Sequence, residues 1–196
     1  MDRQTYSLIG RGLEPLMSNI GIVSARHVDH IGMTVPDLDQ AIEFFQKALG
    51  AHLLWREGPF HETPTGVPIR NVSLVMMRLG PNINVELMSF DAYTQRKQMP
   101  SNIDYGAAHI AFFVDNLEAA AESLQKNGAE LLRGPIDALG ESKKGERIWY
   151  FKTPWGAYLE ILWRPEHLPY EQNTTGRLFN PQGSWTGGKL TARRST

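Results

Sequence analysis

No cysteine occurs among the 196 residues. Disulfide staples and thiolate metal sites are therefore excluded, and any metal bound here must be held by nitrogen and oxygen. Neither sign of charge is in surplus: 20 Lys and Arg stand against 21 Asp and Glu, for a net charge of -1. Basic runs are limited to short pairs such as Lys143-Lys144 and Arg193-Arg194, whereas a nucleic-acid binder gathers a basic excess on one face. Neutral and small anionic ligands stay open. No apolar run is long enough to span a bilayer, and Met1–Tyr6 lacks the apolar centre of a secretory signal. The expectation is a cytoplasmic protein with a small-molecule partner and neither nucleic acid nor membrane.

What the chain does contain is a repeat. Asp29-His30-Ile31-Gly32-Met33-Thr34-Val35-Pro36-Asp37-Leu38 returns in altered form as Ala108-His109-Ile110-Ala111-Phe112-Phe113-Val114-Asp115-Asn116-Leu117. His30 and His109, Val35 and Val114, and Leu38 and Leu117 are each 79 residues apart, and after a one-residue deletion Gly50 and Gly128, like Leu54 and Leu132, are 78 apart. Each copy closes with a glutamate in an apolar strand, Asn84-Val85-Glu86-Leu87-Met88 and Tyr158-Leu159-Glu160-Ile161-Leu162. One copy alone leaves a sheet face to bury, and the other copy can cover it.

The local signals give each copy a strand, a helix and three strands. In the first, His27–Val35 reads as a strand ended by Pro36. Asp37 or Asp39 caps a helix whose apolar face is Leu38, Ala41, Ile42, Phe45, Ala48 and Leu49, and Gly50 stops it. Ala51–Arg56 is a second strand, a Gly- and Pro-rich loop occupies 58–68, and Ile69–Leu79 and Ile83–Phe90 flank a Gly80-Pro81-Asn82 turn. The second copy runs through a helix with Leu117, Ala120, Ala121 and Leu124 on one face, a short strand at Ala129–Leu132, a loop holding Gly140 and Gly145, and strands at Arg147–Lys152 and Ala157–Trp163. The predicted organisation is an N-terminal arm (1–26), a first module (27–90), a connector (91–104), a second module (105–164) and a C-terminal tail (165–196), with Thr186–Thr196 expected to be disordered.

Strand parity separates the two faces of each sheet. Ile31, Met33 and Val35 turn to the helix, which leaves His30, Gly32 and Thr34 on the open side; Glu86, His109 and Glu160 fall on open sides by the same rule. His27 does not share a face with His30. A single histidine in an apolar strand is ordinarily a hydrogen-bonded core residue, and a single glutamate an edge residue facing water. Four such polar residues at equivalent positions of two modules are better explained together, as the ligands of one ion, than one by one. His52, His61 and His167 have no counterpart in the repeat and are read as ordinary residues. Tyr158, Trp149, Arg147 and Arg56, with Arg70, are the candidates for the wall of the cleft, where the arginines have solvated surface positions as their plain alternative.

His-Ile-Gly-Met-Thr-Val-Pro-Asp-Leu, His-Ile-Ala-Phe-Phe-Val-Asp-Asn-Leu and Thr-Pro-Trp-Gly-Ala-Tyr-Leu-Glu-Ile resemble the vicinal oxygen chelate superfamily over about His27–Arg164. That group includes glyoxalase I, epimerases, extradiol dioxygenases and antibiotic-resistance proteins. The resemblance implies an α+β fold of two tandem βαβββ modules, forming a curved mixed sheet around a metal cleft, and a homodimer. It carries His30, Glu86, His109 and Glu160 onto the four metal positions, with Glu86 and Glu160 also the candidate catalytic bases. Two imidazoles and two carboxylates suit one divalent ion, Zn, Ni, Co, Mn or Fe(II).

Such an ion would polarise a substrate carbonyl and acidify the adjacent C–H, which a glutamate could then deprotonate. The leading expectation is therefore a metal-dependent isomerase, epimerase or glyoxalase-type lyase acting on a small hydroxy-carbonyl compound. The first alternative is a non-haem Fe(II) extradiol-type dioxygenase, which keeps two histidines and one carboxylate; a competent fourth ligand at Glu86 tilts against it. The second is a non-catalytic, resistance-type binding protein, a class that generally lacks the metal ligands. Met33-Thr34-Val35 lacks the arginine usual in glyoxalase I, and methylmalonyl-CoA epimerases tend to carry glutamine where Glu86 stands. A small hydroxy-ketone or sugar-like substrate is thus an equal reading.

Overall fold

The apolar stripe of the first copy forms helix α1, Leu38–Leu49. Asp37 Oδ1 caps it by accepting a hydrogen bond from the Gln40 amide at 2.9 Å, and Gly50 ends it in the left-handed conformation at φ 67°. This computed structural model describes residues 28–81 and 83–178 together with the strands 184–186 and 189–191. The predicted arm, 1–26, lies outside the described residues, as does most of Thr186–Thr196.

Around α1 lie β1 (His30–Thr34), β2 (His52–Phe60), β3 (Ile69–Leu79) and β4 (Ile83–Ala92). They form one sheet in the order β1-β4-β3-β2, with β1 parallel to β4 and the other neighbours antiparallel. The second copy repeats the plan with β5 (Ala111–Phe113), α2 (Leu117–Lys126), β6 (Glu130–Leu131), β7 (Ile136–Asp137), β8 (Arg147–Lys152) and β9 (Tyr158–Trp163). Its sheet runs β5-β9-β8-β6, β7 also pairs with β8, and β5 is parallel to β9. The fold is α+β with two βαβββ-type modules, as expected. Asn116 caps α2 as Asp37 caps α1, accepting from the Ala119 amide at 2.8 Å.

Several boundaries differ from the sequence reading: β1 is His30–Thr34 within the expected His27–Val35, and β4 runs past Phe90 to Ala92. Strand β2 continues through the expected loop to Phe60, because a register shift between Glu57 and Phe60 absorbs the Gly58-Pro59 interruption. Gly58 sits at φ 104°, where a Cβ would come within 2.7 Å of the Val72 carbonyl oxygen. β5 is shorter than its counterpart β1, and His109 lies just before it. The loop after α2 contains β7 and a 3-10 turn, Glu141–Lys143. In the tail, a second 3-10 turn spans Pro169–Gln172, and β10 (Ser184–Thr186) pairs antiparallel with β11 (Lys189–Thr191).

The inner faces of both sheets and both helices share one core. Val75, Met77, Val85 and Leu87 of the first module and Phe151, Leu159 and Ile161 of the second belong to the same buried cluster, with Phe45 and Leu124 from the helices. Trp155, in the turn between β8 and β9, stacks on Phe45 and meets Phe44 edge-on at 5.6 Å between ring centres. This contact buries Phe44, which the helical stripe did not include. With the apolar faces spent on this core, the opposite faces of the two sheets are left for chemistry.

Candidate functional site

Exposure alternates residue by residue in β1 and β5 as parity requires, whereas in β9 Leu159, Glu160 and Ile161 are all buried. Ile31, Met33 and Val35 are covered on the helix side, while His30 and Glu86 stand on the open face of the first sheet. Their closest atoms, His30 Nε2 and Glu86 Oε2, are 3.8 Å apart. The pairing of β1 with β4 sets this distance by placing Gly32 opposite Glu86. Gly32 leaves room there: a Cβ on it would meet Met88 Cε at 3.1 Å and Glu86 Oε2 at 3.9 Å.

In the second module His109 Nε2 lies 3.2 Å from Glu160 Oε2. Glu160 is 6% exposed, and its amide donates to the Ile110 carbonyl at 3.0 Å, which locks β9 beside the chain following His109. Tyr150 completes the group. Its hydroxyl lies 3.2 Å from His109 Nε2 and also hydrogen-bonds Glu160 and the connector residue Asn102. Burial, reinforced by the hydrogen bond to Glu160, pushes the Tyr150 phenol up to about 12. It therefore stays protonated at neutral pH and serves the carboxylate as a donor.

His30 has an outer partner of its own. Asp29 Oδ2 is 2.9 Å from His30 Nδ1, and the Asp29 backbone carbonyl accepts from Asn84 Nδ2 at 2.9 Å. The hydrogen bond to Asp29 raises the His30 pKa; burial partly opposes it, and the negative charges of Glu86 and Asp29 add smaller upward contributions. An Nδ1 proton directed at a carboxylate leaves Nε2 as the free lone pair, the arrangement by which metal-binding histidines are oriented.

The four residues thus meet in two pairs. Among the described residues, no group of three or more His, Asp or Glu side chains is placed to hold one ion. Each pair offers one imidazole nitrogen and one carboxylate, a donor set that fits a divalent first-row metal. Glu160 adds a second indication. It is a buried carboxylate whose hydrogen-bond partners are an imidazole and a phenol, neither of them a permanent cation. Burying such a charge is costly unless a cation compensates it.

Of the wall candidates, Tyr158 lines the open side, in a cavity of about 690 Å³ that also includes His109 and the edge of β1. Trp149, Arg147 and Arg56 do not join it. Trp149 and Arg147 alternate with Tyr150 on β8 and share the helix side with buried Phe151. Trp149 Nε1 donates to the Leu132 carbonyl at 2.8 Å, and Arg147 pairs with Glu118 in the first turn of α2 at 2.9 Å. Arg56 makes the equivalent pair in the first module, with Asp39 in the first turn of α1. Arg70 is held by Asp91 at 2.7 Å. The acidic side chains in the first turns of the two helices, Asp39 and Glu118, draw in the two strand arginines.

Sequence reasoning missed Tyr150 and Asp29. Tyr150 was legible by parity, since it stands opposite Glu160 in the β8–β9 ladder. Asp29, next to His30 in sequence, points its backbone neighbour to the other face, and only the side-chain geometry shows its carboxylate curling back to the imidazole.

An α+β scaffold of two βαβββ repeats, each pairing a histidine with a glutamate, defines the class. The profile of the Glyoxalase/Bleomycin resistance protein/Dioxygenase superfamily matches residues 29–150, and the chain belongs to that superfamily. A 2-epi-5-epi-valiolone epimerase from Actinomyces sp. is 40% identical over 177 residues, spanning 87% of this chain and 97% of the relative. The uncharacterized protein YwbC of Bacillus subtilis is 26% identical over 140 residues, 71% of this chain and 99% of that one. Among solved structures, a glyoxalase family protein from Bacillus cereus superposes with a TM-score of 0.61 at 23% identity, over 74% of this chain and 97% of the other. A glyoxalase I mutant from Zea mays gives 0.52 at 24%, over 69% and 44%. At these identities the two structures speak for the fold alone.

Proposed function

We propose that the protein is a divalent-metal-dependent epimerase of a small, polyhydroxylated hydroxy-ketone, working as a homodimer. The observation that carries the reading is the matched pair of His–Glu half-sites, His30 with Glu86 and His109 with Glu160, on open faces of two equivalent modules. The 40% identical relative, named as a 2-epi-5-epi-valiolone epimerase, supports both the reaction class and a cyclic polyol ketone as substrate. His30, Glu86, His109 and Glu160 would hold the ion, the first pair from one chain and the second from its partner. The exposed apolar side chains of β2, Leu53, Leu54, Trp55 and Phe60, favour a second copy, which would cover them.

A bound divalent ion supplies Lewis acidity toward a carbonyl oxygen. The chain's own residues account for the rest. Tyr150, a donor throughout the neutral range, holds Glu160 and His109 in place. Asp29 fixes His30. A glutamate of the set takes the proton from the carbon beside the carbonyl, and return of a proton to the opposite face inverts that centre with no net change of oxidation state. Covering the apolar surface around Glu86, where Met88 lies across Gly32, would exclude water from the transfer.

The test uses 2-epi-5-epi-valiolone in D2O. The expected result is a new epimer carrying deuterium at the carbon next to the carbonyl, with activity lost on chelation and restored by a divalent ion. Full turnover by rigorously chelated protein would remove the metal from the reading. Failure of any ion-loaded form to exchange the substrate proton would remove the epimerase, and oxygen uptake with a catechol in the Fe(II) form would replace it by the dioxygenase.

A further inference from the structure

Next to the His109–Glu160–Tyr150 group, the open face of the second sheet carries a second row of side chains that the proposed chemistry does not use. The ladder pairs Glu130 of β6 with Lys152 of β8, and Lys152 with Tyr158 of β9. The row is therefore Glu130, Lys152, Tyr158, running across three strands. Lys152 and Tyr158 are each two residues along their strands from Tyr150 and Glu160, so the rows are about 7 Å apart. A substituted six-membered ring can bridge that spacing.

Chemically, the row reads as a binding surface. Lys152 Nζ lies 5.3 Å from the centre of the Tyr158 ring and 3.8 Å from Glu130 Oε1, beyond hydrogen-bond distance from the carboxylate. Its side chain is 29% exposed, so the ammonium keeps donors available, and the Glu130 carboxylate, 66% exposed, keeps acceptors available. The row borders a cavity of about 370 Å³ roofed by connector residues, among them Gln98, Ser101 and Asp104. That cavity shares Gln98, Met99, Pro100 and Tyr158 with the larger one that contains His109. The two cavities adjoin along these residues.

We infer that Glu130, Lys152 and Tyr158 form a hydroxyl-binding subsite for a polyhydroxylated ring, which sets substrate specificity at a distance from the reacting carbon. A donor and an acceptor side by side match vicinal hydroxyls, one of which accepts from Lys152 while its neighbour donates to Glu130. The Tyr158 ring offers an apolar face to the C–H side of the ring. An anionic group fits less well, since Glu130 and the Tyr158 π-face already offset the lysine charge. The placement of the ring relative to the reacting carbon rests on the epimerase reading; the binding of hydroxyls does not.

The closing experiment compares two ketones on the ion-loaded protein: 2-epi-5-epi-valiolone, and 2-hydroxycyclohexanone, which lacks the remote hydroxyls. For the polyol ketone, Lys152→Met raises KM by about 10- to 100-fold, the range of hydrogen bonds to a charged group, with kcat within about twofold; Glu130→Ala shifts KM the same way. Exchange of 2-hydroxycyclohexanone is unchanged by either substitution. A KM for the polyol ketone within about threefold of wild type would overturn the subsite, as would equal losses on both ketones, which mark a structural role. If wild type exchanges neither ketone, the epimerase reading fails by itself. The subsite is then judged by NMR on protein labelled with 13C-lysine, titrated with 2-epi-5-epi-valiolone. The resonance missing from Lys152→Met shifts if the subsite exists, and its constancy up to millimolar ligand overturns it.

Discussion

Asp29 is the residue whose role rests most on geometry. Its carboxylate holds His30 Nδ1 at 2.9 Å and raises the imidazole's proton affinity. If His30 is a ligand, Asp29→Asn should weaken divalent-metal affinity by about 10- to 100-fold, the usual effect of losing a ligand's outer partner. Competition against a chelating dye measures it, and an affinity within threefold of wild type would detach Asp29 from the site. The two His–Glu pairs were legible because the repeat places them at equivalent positions and strand parity puts each pair on one face. The wall was less legible. Trp149 belongs to the helix side, whereas Tyr150, one residue on, faces the His109–Glu160 pair, because successive strand side chains point to opposite faces. Arginine's charge suggested a ligand, but the acidic first turns of α1 and α2 were nearer partners.

At the scale of elements, sequence fixes a helix better than a strand. The 3.6-residue stripe and the capping residues located α1 at Leu38–Leu49 without error, because those signals are local. β2 was cut short at the Gly58-Pro59 breaker because its continuation depends on β3, a partner remote in sequence. The tail segment after β9 shows how a few polar contacts replace a regular element. Leu168 is buried, and Glu171 accepts from its amide at 3.3 Å while also engaging His167 at 3.0 Å and Arg177 at 3.4 Å. The hydrogen bond from His167 leads the effects that hold the Glu171 carboxyl below its ordinary value. A depressed carboxylate contributes fully above its unfolded pKa and ceases to contribute as pH falls through the lower folded value. Glu171→Gln should therefore speed amide hydrogen exchange at Leu168 relative to wild type at pH 7, with the difference closing below about pH 4, in the range of an ordinary glutamate. An undiminished difference at pH 3 would assign the anchoring to something other than that charge.

For the whole molecule, the central feature is that the His–Glu pairs of the two modules stand apart: among the described residues no three such side chains converge on one point. If the pairs meet across two chains, variants defective in different halves must complement. A dimer of Glu86→Gln with Glu160→Gln then places both defects in one site and leaves the other site wild-type. Each variant alone should be inactive, whereas a 1:1 mixture refolded together should recover about a quarter of wild-type activity, since half the dimers are mixed and each has one intact site. A mixture as inactive as its components would place all four residues within one chain.

Trp155 gives this scaffold a built-in optical probe. Its indole stacks on Phe45 and meets Phe44 edge-on, both in the other module, and its buried ring N–H has no hydrogen-bond partner among the described residues. An indole in such a setting emits toward the blue and shifts to the red as water reaches it. In a variant with Trp55, Trp149, Trp163 and Trp185 changed to Phe, which leaves Trp155 as the emitter, emission will move ahead of the far-ultraviolet circular dichroism if the modules part before the core melts; if they form one cooperative unit, the two signals will change together.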